Sequence, residues 1–277
     1  MSVAVVLFVT VFLAPAFRGD ILIEAGYSVG LFTIHLYSWI MLAAVLAAFF
    51  LTRRFAGKFG IPKGTAENLV LVGFFAGFVG ARIHHVLSAW DFYSQNVWST
   101  IQVWRGGLGI FGGIAGGIIA IALYARIKKL NFLTVADLLT PGLILGQAIG
   151  RWGNFFNQEA YGIPTNLPWK MFVAPEFRLE RFLDFSYFHP VFLYESLWGV
   201  VVFLILLKMV KQKEVLRFPA GLIFASYLIL YPLGRFFIES LRADQTLVAG
   251  LPLNQLLALV FMLAGLGLLF KTKRTAV

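Results

Sequence analysis

The chain has 277 residues, of which 60% are hydrophobic and 13% charged, and its mean hydropathy is +0.83. A soluble domain carries about 25% charged residues, so this composition excludes an ordinary soluble protein and indicates a polytopic membrane protein. The net charge is +10, but the basic residues are dispersed among apolar runs, which argues against a nucleic-acid partner. Because the chain has no cysteine, it supplies no disulfide, iron–sulfur cluster or thiol nucleophile of its own.

The first 31 residues are predicted to form an outer segment that precedes the membrane-spanning core. Its apolar start, residues 1–17, has no positively charged region before it, so a cleaved signal peptide is not expected. Two interpretations of this start are left open, an interfacial helix and a partial helix.

Seven later apolar runs are each long enough to cross a bilayer, which takes about 20 residues in a helix. They lie at residues 32–51, 68–88, 108–125, 138–156, 191–207, 220–238 and 253–270. The sequence therefore predicts an all-α polytopic membrane protein, with a single membrane-embedded domain over residues 1–277 and a seven-helix core over residues 32–270.

The basic residues predict the orientation of this core. Fourteen of them follow the first, third, fifth and seventh spans, and by the positive-inside rule these ends face the cytoplasm. The N-terminal segment is then outside, and residues 271–277 form a cytoplasmic tail. The fourteen are Arg53, Arg54, Lys58, Lys63, Arg126, Lys128, Lys129, Lys208, Lys211, Lys213, Arg217, Lys271, Lys273 and Arg274. The opposite side holds Arg18, Arg105, Lys170, Arg178, Arg181 and Arg242.

The second, fourth and sixth spans each carry one arginine late in their length, Arg82, Arg151 and Arg235. Charge at membrane depth is costly and usually faces a protein interior or a wet cavity. With this topology the three cations share one depth in the outer leaflet, and few acids are close enough to pair with them. A phospholipid phosphate would satisfy the remainder, which predicts a shared polar cavity, with separate structural ion pairs as the alternative. The close acids are Glu159, Glu195 and Glu239.

In the sixth span, Tyr231, Arg235 and Glu239 recur every four residues and therefore lie on one helical face. This spacing supports the shared cavity. The alternative interpretation is an ion pair between Arg235 and Glu239 within the helix.

The third span opens with a glycine-rich run. Its Gly109–Gly113–Gly117 and Gly112–Gly116 spacings predict close packing against another helix, because the lysine and strand context of a phosphate-binding loop are missing. The outer loop, residues 157–189, is rich in proline and aromatic residues, which predicts an arm lying along the membrane interface. An amphipathic loop packed on the helix bundle is the alternative.

The histidines His35, His84, His85 and His189 all fall near the outer ends of helices. Adjacent His84 and His85 point to different faces, and no metal-ligand spacing is present, so neither a metal site nor a cofactor is predicted. His189 precedes Pro190, a residue that suits a first helical turn, and is interpreted first as a helix-entry feature and second as a candidate catalytic group.

Several blocks of polar residues occur in a specific order along the apolar spans. The strongest is residues 150–159, Gly-Arg-Trp-Gly-Asn-Phe-Phe-Asn-Gln-Glu. The others are Tyr37, Gly80-Ala81-Arg82, His189-Pro190 with Leu193-Tyr194-Glu195, and Tyr231, Arg235, Glu239 and Arg242. From about residue 32 to the C-terminus, these blocks resemble the bacterial prolipoprotein diacylglyceryl transferases.

The resemblance implies transfer of the diacylglyceryl group of phosphatidylglycerol to the lipobox cysteine thiol of a preprolipoprotein, with release of glycerol phosphate. It implies an enzyme of the bacterial cytoplasmic (inner) membrane, with its active site toward the outer leaflet. Arg151 and Arg235 would bind the phosphate and the leaving group, and Asn154 and Glu159 would orient the head group or the loop. The expected cavity lining is Tyr37, Tyr231 and Glu239, with Arg82 as a further lipid-binding residue. Weaker candidates are His84, His85, His189 and Arg242.

One position departs from the family pattern. Phe111 stands in the glycine-rich motif where many family members have histidine or tyrosine, and its ring neither accepts nor donates a proton. We expect the substrate thiolate to form in the field of the arginines, which lowers a thiol pKa, or through His84, His85 or Glu239.

A different class of protein uses the same features. A transporter or flippase for anionic lipids would bind head groups with these arginines and perform no chemistry. The lack of an inverted repeat argues against it, as does the apolar character of the cytoplasmic halves of the spans. A seven-helix receptor is less favoured, because the chain has no long cytoplasmic signalling loop.

Overall fold

A computed structural model of the protein describes residues 7–21, 26–29 and 32–274. In this part of the chain, seven helices are long and apolar enough to cross a membrane, as the hydropathy pattern predicts. They are α1 Leu36–Phe55, α2 Lys63–Ser88, α3 Ile110–Ile127, α4 Phe132–Phe156, α5 Val191–Gln212, α6 Leu222–Glu239 and α7 Leu253–Arg274.

Besides the predicted helices, three short two-stranded antiparallel hairpins lie among the described residues. The strands are β1 Gly26–Val29 with β2 Phe32–His35, β3 Met171–Phe172 with β4 Tyr187–Phe188, and β5 Leu247–Val248 with β6 Leu251–Pro252. The predicted start of the first span at residue 32 was wrong, because residues 32–35 pair with β1 and the helix begins at Leu36.

The N-terminal segment is helical over much of its described length. Phe8–Leu13 forms a π-helix and Ala14–Arg18 an α-helix. Phe12 packs against Phe155 and Phe156 at the end of α4, and Ala16 is buried. The segment therefore covers the C-terminal end of α4. Residues 1–6, the start of the predicted apolar run, lie outside the described part.

The glycine-rich seam predicted for the third span joins α2 to α3. A Cβ at Gly112 would collide with the carbonyl oxygen of Gly80, and one at Gly77 would lie 3.2 Å from the carbonyl oxygen of Gly113. The two backbones therefore approach so closely that only glycine fits at Gly80 and Gly112, as the small-residue spacing predicts.

The outer loop of residues 157–189 folds back on the helix ends. Its hairpin β3–β4 buries Met171 and Phe188 against Phe155 and Phe192. Trp169, however, is 52% exposed. The loop therefore packs on the bundle with part of its aromatic surface exposed, and its position along the membrane interface stays a prediction.

At the opposite end of the bundle, a buried carboxylate joins two helices. Asp137 of α4 accepts hydrogen bonds from the backbone N–H groups of Gly221 (2.7 Å) and Phe224 (2.8 Å) at the start of α6. These N–H groups have no partner within their own helix, so Asp137 serves as a cap supplied by a neighbour.

Candidate active site

The buried carboxylate of Glu195 lies at the centre of the site. The side chain of Glu195, in the first turns of α5, is 2% exposed and contacts Arg151 of α4 and Arg235 of α6. Its Oε1 also lies 3.6 Å from Nη1 of Arg242, just after α6. The structure therefore brings Arg151 and Arg235 together, as the shared-cavity prediction required, and adds Arg242 to them.

Glu239 is the second buried carboxylate of this cluster. Its Oε2 lies 3.1 Å from Nη2 of Arg235, and its Oε1 accepts a hydrogen bond of 2.9 Å from Asn254 of α7. The ion pair within α6 is thus present, but as one part of a larger network. Glu239 is fully buried and holds Arg235 in place, and its role toward the substrate stays a prediction.

The cations of this cluster outnumber its buried anions. Three guanidinium groups share the carboxylates of Glu195 and Glu239, and the more exposed Asp244 binds the outer side of Arg242. Arg151 is the most exposed of the three arginines, at 25%, and its Nη1 makes one long contact of 3.4 Å with Oδ1 of Asn154. Arg151 is therefore the cation that a ligand anion can reach most easily.

Asn154 connects Arg151 to the loop that follows α4. Its Nδ2 donates a hydrogen bond of 2.9 Å to Glu159, which also accepts one of 3.2 Å from Asn157. Tyr37 of α1 lies against Gly153, where a side chain would collide with the tyrosine ring. The predicted residues Tyr37, Asn154 and Glu159 thus surround the outer end of Arg151.

Tyr231 lies one helical turn before Arg235 on α6. Its ring stacks on Tyr227 with centroids 5.6 Å apart and an interplanar angle of 8°. The hydroxyl of Tyr227 in turn bonds the side-chain amide of Gln147, one turn before Arg151 on α4. The hydrogen-bonded side chains of Tyr227 and Gln147 form a polar layer next to the arginines. The role of Tyr231 in lipid binding stays a prediction.

Arg82 does not belong to the cluster, contrary to the prediction that it shares one cavity with Arg151 and Arg235. Its guanidinium donates hydrogen bonds of 2.6–2.9 Å to the backbone carbonyl groups of Ser99, Thr100, Gly106 and Gly107. It also lies over the ring of Tyr93. Its donors are therefore occupied by the loop between α2 and α3, and its observed contacts are structural.

The two histidines of α2 pack against the same loop. The ring of His84 lies 6.2 Å from that of Phe111 between centroids, and its buried Nδ1 has no hydrogen-bond partner in the described part of the chain. The ring of His85 contacts Tyr93. His84 is thus the imidazole beside the position where the family pattern would place a proton acceptor.

His189 lies at the entry to α5 and not in the arginine cluster. Its Nδ1 is 3.2 Å from the hydroxyl of Tyr194, which accepts a hydrogen bond of 2.7 Å from Trp169. Partial burial lowers the pKa of His189. Its position fits the helix-entry interpretation. Within the described residues, no group of three His, Asp or Glu side chains could hold a metal ion.

Sequence reasoning missed the central place of Glu195, which it named as an acid close to the arginines and as the end of the Leu193-Tyr194-Glu195 block, without giving it a role in the site. Glu195 is a carboxylate within an otherwise apolar stretch of α5, and that was the available signal. Asn254 gave no signal, because polar residues are common in the first turn of a membrane helix.

These features define a seven-helix membrane protein with a cationic site near one end of the bundle. Residues 25–271 match the profile of the family described as prolipoprotein diacylglyceryl transferase, and the chain belongs to this family. Relatives named phosphatidylglycerol–prolipoprotein diacylglyceryl transferase include that of Thermotoga petrophila, 42% identical over 93% of this chain and 88% of its own length. Those of Prochlorococcus marinus (41%, 87% of each chain) and Fervidobacterium nodosum (40%, 96% and 92%) are similarly close.

Proposed function

We propose that this protein transfers the diacylglyceryl group of phosphatidylglycerol to the cysteine thiol of a prolipoprotein, releasing glycerol phosphate. The observation that carries the proposal is Arg151, a partly exposed guanidinium held by the buried Glu195 beside Arg235. The family membership and the names of the relatives support this substrate pair.

In the proposed step, the substrate sulfur attacks the diacylglyceryl carbon that is bonded to the phosphate oxygen. A carbon–sulfur bond forms, the carbon–oxygen bond breaks, and glycerol phosphate leaves with the electron pair. Negative charge then grows on the phosphate, where Arg151 binds it and Arg235 adds a second positive field. Such pre-positioned cations are worth about 3–4 kcal/mol each in a site that excludes water. Glu195 fixes both guanidinium groups beforehand.

The thiol must lose its proton before or during this attack. Phe111 cannot accept it, and Glu239 is buried with both carboxylate oxygens engaged. We assign formation of the thiolate to the local positive field of Arg151, since a nearby cation lowers the pKa of a thiol, and the proton passes to water. His84, next to Phe111, is the alternative acceptor.

We further propose that the protein lies in the bacterial cytoplasmic membrane, with this site toward the outer leaflet. The distribution of basic residues supports this orientation, because the loops at the far end of the bundle carry most of them. Lipid would then reach Arg151 from the outer leaflet, and the substrate thiol would meet it on the same side.

A mass-shift assay tests the reaction. The purified protein is incubated with phosphatidylglycerol vesicles and a synthetic lipobox peptide, and the diacylglyceryl adduct is measured by mass spectrometry. Wild type should form the adduct on a cysteine peptide and not on a serine peptide. Arg151→Ala should reduce the rate by about 10²–10³-fold, the loss expected for one oxyanion-stabilising group. The matched control is Arg54→Ala, at the exposed end of α1.

An inactive wild type of normal thermal stability would contradict the proposal. Phe111→His would then be assayed in the same way, and activity gained there would identify a missing proton acceptor. If Phe111→His also forms no adduct, while phosphatidylglycerol still binds and moves between leaflets, the protein is a lipid transporter. Loss of folding in Arg151→Ala would instead assign Arg151 a structural role.

A further inference from the structure

A cavity of about 450 Å³ opens in the outer loops beside the arginine cluster. It is formed by the loop after α4, by the turn Pro175–Phe177 with the residues after it, and by the residues that follow Arg242. Its lining is Asn157, Gln158, Glu159, Ala160, Tyr161, Phe177, Leu179, Ala243 and Asp244. None of the catalytic steps described above uses this space.

Two short chains of contacts connect this cavity to the site. Glu159 accepts a hydrogen bond from Asn154, which contacts Arg151. Asp244 accepts hydrogen bonds of 2.9 and 2.7 Å from Arg242, which lies near Glu195. A ligand in the cavity would therefore lie immediately beside the substrate bound at Arg151.

Hydrogen bonds hold the wall of the cavity in place. The hydroxyl of Tyr161 donates to the carbonyl of Phe177 (2.9 Å) and accepts from the N–H of Leu179 (2.8 Å). Gln158 is buried, and its side chain accepts a hydrogen bond of 2.7 Å from the N–H of Ala174. Both Gln158 and Ala160 adopt left-handed backbone conformations, with φ of 49° and 55°. Strained residues held in this way are typical of binding loops.

The lining does not suit the lipid. Carboxylates at Glu159 and Asp244 would repel a phosphate and would be desolvated by an acyl chain. The glycerol head group, with six heavy atoms, is far smaller than the cavity, whose volume lies in the range of about 300–1,000 Å³ found for drug-sized ligands. The neighbouring cations are already engaged, Arg242 by Asp244 and Arg181 by the carbonyl of Ala243.

A peptide fits this lining better. Extended backbone offers N–H donors to the carboxylates, and its side chains can pack on Phe177 and Leu179. We propose that the cavity binds the residues that follow the acceptor cysteine in the prolipoprotein substrate, an inference that rests on the proposed transferase function. The cysteine then lies at the mouth of the cavity, next to Arg151, and the remainder of the chain leaves on the outer side.

The test compares two lipobox peptides, one ending at the cysteine amide and one extending about four residues beyond it. In wild type, the extension should lower the KM for peptide by about tenfold, equivalent to 1.4 kcal/mol. Leu179→Trp fills the cavity and Phe177→Ala removes an exposed ring from its wall, so both should reduce the benefit of the extension. Turnover of the short peptide should stay near the wild-type value in both variants.

Leu183→Trp is the matched control, because Leu183 is 54% exposed in the same outer loop and does not line the cavity. It should leave the benefit of the extension unchanged. An equal benefit in all four proteins would overturn the inference. A change in the KM for phosphatidylglycerol, with both peptides affected alike, would instead make the cavity a lipid head-group site.

A binding measurement separates this inference from the proposed reaction. Labelled peptides with serine in place of cysteine are titrated into the protein in nanodiscs, and fluorescence anisotropy is recorded. Tighter binding of the extended peptide that is lost in Leu179→Trp supports the cavity even if no adduct ever forms. Adduct formation without any effect of the extension on affinity or KM means that the transferase assignment holds and the cavity inference fails.

Discussion

The carboxylate of Glu195 stands between two guanidinium groups in a place that water hardly reaches. Removing one partner of a buried ion pair is costly, because the remaining charge stays buried without compensation. Loss of the Glu195 carboxylate would leave Arg151 and Arg235 facing each other. Both the stability of the fold and the orientation of the two guanidinium groups therefore depend on Glu195.

Glu195→Gln keeps the shape of the side chain and removes its charge. We expect the free energy of unfolding to fall by about 3–5 kcal/mol, the cost of breaking a buried pair. The transfer rate should fall by about 10²-fold or more, because the arginines are no longer fixed for the phosphate. Thermal denaturation in detergent and the mass-shift assay measure the two effects.

Glu214→Gln is the matched control, since the side chain of Glu214 is 60% exposed and pairs with Lys58 at the opposite end of the bundle. Surface pairs contribute about 0–1 kcal/mol, so this variant should resemble wild type in both assays. Glu195→Gln with full activity would show that the network around Glu195 is not needed for the reaction.

The residues of the site were predictable to different degrees. Arg151 and Arg235 meet because each lies late in a span of the same direction, a relation that hydropathy and positive charge reveal. Arg82 satisfies the same rule but binds carbonyl groups of the loop between α2 and α3. The path of that loop is set by tertiary contacts and glycine conformations, which spacing alone does not encode.

At the level of helices, the seam between α2 and α3 brings two backbones into direct contact. The backbones meet at Gly80 and Gly112, where the first carbon of any side chain would collide with the facing helix. Without a hydrophobic driving force between helices in lipid, such close van der Waals packing is what holds a membrane pair together.

Gly112→Ala should therefore separate α2 from α3 and lower stability by about 1–3 kcal/mol, the usual cost of overpacking. The control is Gly267→Ala on α7, where an added Cβ has no neighbour within 4 Å. That change should be neutral or stabilising by up to about 1 kcal/mol, because alanine is the better helix former. Thermal denaturation compares the two, and an equal effect would mean that the seam is not tightly packed.

The existence of all seven helices followed from the sequence, but several of their ends did not. The helix α1 starts four residues later than predicted because residues 32–35 pair with β1. A short apolar strand and the first turn of an apolar helix have the same hydropathy, so the sequence does not separate them. The folding of residues 157–189 onto the bundle depends on a shared apolar cluster that joins Phe188 to residues far away in sequence, such as Phe155.

In the molecule as a whole, the polar residues of the candidate site and the apolar core are separated along the bundle axis. The arginine cluster, the cavity and all three hairpins of the described chain lie around one end, whereas residues such as Leu138, Val202 and Leu206 form a closed apolar core farther along. Asp137, near the opposite end, is fully engaged by the N–H groups of α6. Because the proposed site lies at one end of the bundle, the orientation of the molecule decides which leaflet supplies the lipid.

The orientation can be measured directly, because the chain contains no cysteine and single thiols can be introduced without background. Leu183 is 54% exposed in the loop near the site, and Val215 is 82% exposed between α5 and α6. In spheroplasts treated with a membrane-impermeant maleimide, Leu183→Cys should be labelled, since an exposed thiol near its ordinary pKa reacts readily. Val215→Cys should be labelled only after lysis. The opposite pattern would place the site at the cytoplasmic leaflet, and phosphatidylglycerol would then have to be drawn from that side.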